Sequence, residues 1–253
     1  MNFFYGINSD LFKSEIQIPI FQNRNLKKTN LKLFKTYPEN NEWILKEVSN
    51  KKNNEYFYIL KNNDILNNEI FFLADETIYK LFDNKKLKNY NNFTDTAPAY
   101  RSNFKIYLKQ GGFSSYQADY PFSMITKKGT ILSSVSSISN PDADKNYVLI
   151  KNIFKEPIKD IFKVFLVNIK TKNIEEQFDI KTNFTNCIEI DRKHIKPEIY
   201  LVTDKYLGIP MYVSIKNNHL SFEHTHPPHE YILSENRFLK VTNLKKEINE
   251  IIN

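Results

Sequence analysis

Met211-Tyr212-Val213-Ser214-Ile215-Lys216-Asn217-Asn218-His219-Leu220-Ser221-Phe222-Glu223-His224 reads as a β-hairpin. Met211, Val213 and Ile215 recur with the period of two expected of a half-buried strand, and Leu220 and Phe222 repeat that period beyond Asn217-Asn218. Asparagine accepts the positive φ that a tight hairpin turn demands. A two-residue loop then sets the register: Lys216 faces His219, Ile215 faces Leu220, Val213 faces Phe222, Tyr212 faces Glu223 and Met211 faces His224. His224 therefore joins the apolar face and Glu223 the opposite one. Pro227 and Pro228 cannot supply ladder donors, so the segment that follows falls at a sheet end, with His226 on the side of His224 near Pro210.

Short alternating or fully apolar runs bounded by Asn, Asp, Gly or Pro recur along the rest of the chain, which is the signature of many strands. Phe104, Ile106 and Leu108 alternate with Lys105, Tyr107 and Lys109 ahead of Gly111-Gly112, a half-buried strand and turn. Ile161 to Ile169 is apolar on both parities, as a central strand is, and Lys172-Asn173 offers a turn into Glu175 to Ile180. Helical spacing appears in the tail, where Thr242 or Asn243 caps a segment carrying Leu244, Ile248, Ile251 and Ile252 that docks on the body, and more weakly from Asp75 to Phe82. The expected fold is mainly β: an antiparallel β-sandwich or barrel over residues 96–253, a smaller β-rich region over 1–95 and a short C-terminal helix. The polar stretch Asn89 to Pro98 marks the expected boundary.

The 253 residues are enough to bury a core without covalent staples, and the single Cys187 excludes an internal disulfide and a multi-cysteine zinc site. No run approaches the roughly 18 apolar residues of a membrane helix. The start, Met1 to Gly6, lacks a charged leader and apolar core, so a cytoplasmic chain is expected, in which the sequons at Asn92 and Asn183 carry no meaning. The net charge of +7 comes from scattered Lys in a chain also crowded with Asn, Ile, Phe and Tyr, and this dispersal argues against nucleic acid as a partner. The densest basic stretch, Arg24 to Lys35, reads as a solvated strand edge.

Site chemistry concentrates at Glu223-His224-Thr225-His226-Pro227-Pro228-His229-Glu230, which holds three of the five histidines. In extended chain His224 and His226 point the same way, so both imidazoles can reach one metal ion, with Glu230 to complete the set. Neutral imidazole suits a divalent transition metal, Zn or Fe. Written out, His224-x-His226-x-x-x-Glu230 resembles the first metal motif of the cupin family. That resemblance implies a divalent metal held by these residues inside a β-barrel. The match runs through Pro227 to Tyr231-Ile232-Leu233; the flanking glycines are missing, Arg237 stands where the trailing one would be, and no histidine follows His229 to form a second motif. The same histidines serve equally as a hydrogen-bonded plug that pins the Pro-Pro turn.

A second candidate is Gln110 to Pro121, read as a loop whose Phe113, Tyr116, Gln117 and Tyr120 combine ring faces with polar groups, as glycan recognition requires. Other motifs fail. Asp142 to Asn146 imitates a calcium loop with Tyr147 at the glycine position, and is a turn. Ser133 to Ser139 has no nucleophile-elbow context, and Cys187, framed by Ile188 and Ile190, reads as a small core residue although His194 would supply a base. Two functions follow. In the first, His224, His226 and Glu230 hold a metal or line a site for a small polar molecule such as a sugar derivative, with Glu223 or His229 as acid or base. In the second, the histidines are structural and the chain is a non-catalytic carbohydrate- or protein-binding module.

Overall fold

The computed structural model describes residues 2–21, 30–49, 55–90, 101–109, 111–126, 133–203, 205, 208–224 and 235–253. They form two compact units. The first comprises Met1–Lys127, Asn152–Lys159 and Thr182–Thr185; the second comprises Lys128–Lys151, Asp160–Lys181 and Asn186–Asn253.

The first unit contains β1 (Asn2–Phe3), β2 (Phe12–Pro19), β3 (Lys32–Glu39), β4 (Glu42–Glu47), β5 (Phe57–Lys61), β6 (Ile70–Ala74), the single helical turn α1 (Ile78–Leu81), β7 (Asn103–Leu108), β8 (Gly111–Gln117) and β9 (Tyr120–Pro121). Its sheets run β5-β2-β7-β8, β4-β3-β6 and β1-β9, with antiparallel pairing throughout. Ile16, Ile18, Leu33, Leu60, Phe71 and Leu73 meet in its core. Each such side chain contributes about 1.5–3 kcal/mol on full burial. Asn40 and Asn41, at φ 49° and 61°, turn β3 into β4, because Asn enters the left-handed region at little cost. Of the weak helix expected over Asp75 to Phe82, only the α1 turn forms, with Ile78 buried and Leu81 exposed.

The expected edge at Lys32 to Lys35 is instead the central strand β3 of its sheet. Its charges are met locally, Lys32 by Glu47 and Glu76 and Lys35 by the buried Glu69. The compositional boundary differs too. Residues 91–100 lie outside the described ones, but β7 pairs with β2 from Phe12↔Leu108 to Gln17↔Asn103. Residues 103–117 thus belong with the first unit, since strand pairing rather than local polarity decides membership. Asn183 of the second sequon is buried; its carboxamide accepts from Phe154 N at 2.7 Å and donates to the carbonyls of Glu156 and Ile158. That is a backbone-fastening role, incompatible with a glycan in the folded chain.

The second unit contains β10 (Ser133–Ser134), β11 (Lys145–Lys151), β12 (Ile161–Asn168), β13 (Asn173–Lys181), β14 (Thr185–Ile190), β15 (Ile199–Val202), β16 (Ile209–Lys216), β17 (His219–His224) and α2 (Arg237–Ile252). Two four-stranded sheets result, β10-β15-β12-β13 and β14-β11-β16-β17. The fold is mainly β and antiparallel, as the patterning implies. Both orders end on edge strands, so the barrel alternative does not hold among the described residues. The strand Ile161–Asn168, which carries apolar residues on both faces, is central, with β13 on one side and β15 on the other, and Lys172 takes φ 58° in the turn that precedes β13.

Helix α2 docks through Ile248, Leu244, Ile251 and Ile252 on Val167 and Val202. It starts ahead of the expected cap, at Arg237 after Asn236. Thr242 lies within it, its Oγ1 donating to the Phe238 carbonyl at 2.8 Å. A hydroxyl that finds an acceptor one turn back is satisfied inside a helix, so it need not begin one. No described helix is long and apolar enough to cross a membrane.

Candidate functional site

The register of the β16–β17 hairpin is the one read from the sequence, from Lys216↔His219 to Met211↔His224. Asn217 and Asn218 take φ 49° and 63° in its turn. One face carries Met211, Val213, Ile215 and Phe222, all buried. The other carries two cross-strand pairs, Tyr212↔Glu223 and Ser214↔Ser221. These four form the floor of an open cleft of about 220 Å³, with the segment from Ser137 to Asn140 as its wall and His224 at its rim.

The wall is held by Asn146 on β11, a buried residue. Its Oδ1 accepts from Asn140 N at 2.9 Å and from Ser214 Oγ at 2.7 Å, while its Nδ2 donates to the Asn140 carbonyl at 3.0 Å. One carboxamide thereby joins the wall to the floor. The neighbouring acidic turn has its own work: Asn140 Oδ1 accepts from Asp142 N, and Asp144 Oδ2 from Asn217 N at 2.8 Å. These contacts agree with a turn over 142–144, whereas Lys145 and Asn146 of the expected turn open the strand β11.

Glu223 and His224 form a bonded pair. Glu223 Oε1 accepts from His224 N at 2.9 Å and lies 3.0 Å from His224 Nδ1. An ionised carboxylate only accepts, so in this contact Nδ1 carries the proton. The imidazole expected to join the apolar face thus turns at the strand end toward the carboxylate of the opposite face. His226, His229 and Glu230 lie outside the described residues. Among the described residues no three His, Cys, Asp or Glu side chains form a group able to hold a metal. His224 is the single described member of the expected ligand set, and its Nδ1 is committed to Glu223; a lone imidazole does not make a metal centre, where about four donors are required.

Gln110 lies outside the described residues, and residues 111–121 of the expected loop are mostly strand. They contain the edge strand β8 and the short β9, and the alternation of β8 separates the expected ligand residues. Phe113 and Gln117 pair with Tyr107 and Asn103 on the outer face, whereas Tyr116 pairs with the buried Phe104. Tyr120 is fully buried opposite Phe3, which corrects its assignment as a ligand contact. Phe113 is 63% exposed, with its ring centroid 5.7 Å from that of Tyr107. Gln117 Oε1 accepts from Arg101 Nη1 at 2.7 Å.

Cys187 corrects another expectation. Ile188 and Ile190 point inward and leave the cysteine exposed on the other face of β14. Such cover as its sulfur has, with the Glu189 carboxylate, pushes the thiol upward, away from the thiolate a nucleophile requires. Buried His194 lies 3.1 Å from Glu176 and closes a short turn. Comparison with protein-family models, with curated protein sequences and with solved structures gives no match. The cupin resemblance accordingly extends no further than its motif.

The sequence reading missed most of the cleft. Tyr212, Ser214 and Ser221 share the face of Glu223 by the period of two and were within its reach. The wall, drawn from the serine run near residue 137, is brought there by tertiary packing and leaves no local signal.

Proposed function

We propose that the second unit binds a small polar molecule, of the sugar-derivative class, in the cleft floored by Tyr212, Ser214, Ser221 and Glu223. The observation that carries this reading is the Glu223–His224 pair at 3.0 Å beside that cleft. Hydroxyls, an imidazole and a carboxylate converge on one concave surface, the arrangement by which polar groups fix a small ligand's orientation. If a reaction occurs there, Glu223 orients His224 as an acid or base, the geometry in which a carboxylate holds an imidazole for proton transfer.

The divalent-metal version of this proposal rests on the same pair. Metal-bound histidines commonly donate their second N–H to a carboxylate, as His224 does to Glu223, and His226 and Glu230 would be the further ligands. The test combines metal analysis of untagged protein with ligand-observed NMR against a panel of monosaccharides, for the parent chain and for His224→Ala. A saccharide signal in the parent that is lost in His224→Ala supports the cleft. Stoichiometric Zn or Fe, lost in His224→Ala/His226→Ala, supports the metal version. Saccharide binding that survives His224→Ala but is removed by Phe113→Ala overturns the cleft in favour of a glycan platform on the first unit, the reading suggested by the exposed Phe113 beside Tyr107.

A further inference from the structure

A strand at the edge of a sheet presents a row of unpaired N–H and C=O groups, and folded chains protect such rows with charge, proline, short length or cover. Among the described edge strands longer than two residues, β4, β5, β13, β14 and β17 each hold an Asp, Glu or Lys, and β6 is wholly buried. The remaining one is β8, Gly111-Gly112-Phe113-Ser114-Ser115-Tyr116-Gln117. It has neither charge nor proline. Gly111, Gly112, Phe113, Ser115 and Gln117 are exposed, and nothing stands within 4 Å of the place a Cβ on Gly111 would take. In a chain of which 26% is charged, this strand lacks the protection the other exposed edges have.

The phase of the ladder fixes which groups the edge offers. Ala118 N donates to the Ser102 carbonyl at 3.3 Å, one step beyond the pair Asn103↔Gln117. Opposed residues in an antiparallel ladder alternate between bonded and non-bonded pairs. Phe104↔Tyr116 and Ile106↔Ser114 are then bonded pairs, and Asn103↔Gln117, Lys105↔Ser115 and Tyr107↔Phe113 are not. The backbone N–H and C=O of Phe113, Ser115 and Gln117 therefore point away from β7, and no described strand pairs with them. Their side chains share one face of the sheet.

We propose that β8 is a homodimer interface: two copies of the chain pair their β8 strands antiparallel about a two-fold axis at Ser115, joining two four-stranded sheets edge to edge. In that register Ser115 faces its own copy and Phe113 faces the partner's Gln117. Every outward residue meets an outward residue, and each such pair exchanges two N–H···O=C bonds. A second copy suits this edge because a two-fold contact must be complementary to itself, and an uncharged strand brings no like charges together across the axis, where they destabilise. Gln117 Oε1 holds Arg101 Nη1 at 2.7 Å, so the same register sets a guanidinium on the side of the partner's Phe113, whose ring is exposed and attracts a cation to its face. The contact closes on itself, so assembly stops at two copies.

Sedimentation velocity of the full chain from about 1 to 100 μM, the affinity range of small interfaces, is expected to show a dimer that gains on the monomer as concentration rises. Ser115→Pro removes an outward N–H and leaves the bonds to β7 intact, as proline is tolerated where that side of an edge strand faces solvent. It is expected to weaken the dimer by roughly tenfold or more with the melting temperature unchanged. Ser114→Pro, whose N–H serves β7, is expected to lower the melting temperature instead. Should Ser115→Pro fail to fold, Ser115→Lys decides, since it sets two cations opposite each other at the axis and is expected to hold the chain monomeric at low salt. Ser115→Cys in a Cys187→Ala background is expected to oxidise to a cross-linked dimer, because bonded pairs stand about 5.5 Å apart at Cα, within disulfide reach. A parent chain that stays monomeric throughout overturns the proposal and leaves the edge to an extended peptide of another protein. A dimer unmoved by both Ser115→Pro and Ser115→Lys lies elsewhere on the surface and overturns it as well.

Discussion

Adjacent residues on a strand point to opposite faces, and Glu223 and His224 do so by register. They nevertheless bond, because His224 is the last residue of β17 and its backbone N–H turns with its ring toward the neighbouring carboxylate. Period-two reasoning is sound within a strand and loses force at its end. The same scale holds a titration that can be checked. Asp119 is partly buried, and that burial holds its carboxyl above the usual range, with Arg101 opposing only in part. Asn2 Nδ2 donates to it at 3.1 Å. A folded-state value above the unfolded one means that the stability contributed by this group is full below the unfolded carboxyl range and falls as pH rises through the raised value. Asp119→Asn keeps an acceptor for Asn2 and removes the charge. It is expected to be at least as stable as the parent at pH 7 and to flatten this fall in melting curves taken between about pH 3 and 8. A loss exceeding about 1 kcal/mol at neutral pH would contradict that account.

At the scale of elements, the hairpin was legible in full because everything that sets it is local. Its two asparagines fix the turn, the turn fixes the register, and the register fixes which side chains share a face. Asn218 at φ 63° makes the dependence measurable. Asn218→Ala should cost about 1 kcal/mol, from the clash of a Cβ that no side-chain hydrogen bond offsets in the left-handed region. Asn218→Gly should be neutral or stabilising, since glycine is favoured at the second central position. Urea denaturation midpoints compare the two, and an alanine variant as stable as the glycine one would refute the turn assignment. The strand β8 was less legible. Its Gly-Gly, serines and aromatics look like a loop in isolation, and pairing with β7 makes them an edge strand, with the consequence that Phe113 and Tyr116 cannot serve one ligand from one face. The start of α2 was misplaced for the converse reason: Thr242 resembles a cap, but its hydroxyl is satisfied from within the helix.

At the scale of the whole molecule, the chain leaves the first unit and returns to it. Asn152–Lys159 and Thr182–Thr185 belong with residues far upstream, and Trp43 Nε1 donates to the Lys155 carbonyl while Thr185 N donates to that of Asn67. A division at residue 95 would strip β2 of its β7 partner and remove these returning segments. The fragment 1–95 is therefore expected to give a collapsed or random-coil NMR spectrum, whereas the intact chain gives dispersed amide signals. A folded 1–95 fragment would mean that β7 and β8 are dispensable to the first unit.

The sequence by itself determined the strand-rich class, the antiparallel hairpin and its faces, the docking stripe of the C-terminal helix and the start of the turn at Asp142. Each depends on neighbours a few residues apart, where side-chain period and φ preference act directly. Only the tertiary structure decided which strands share a sheet, that the basic stretch ends in a central strand, that Tyr120 and Asn183 are buried, and that a serine-rich segment walls the cleft beside Glu223 and His224. Those outcomes depend on contacts between residues tens of positions apart, such as Asn146 with Ser214, and no local pattern records the partner.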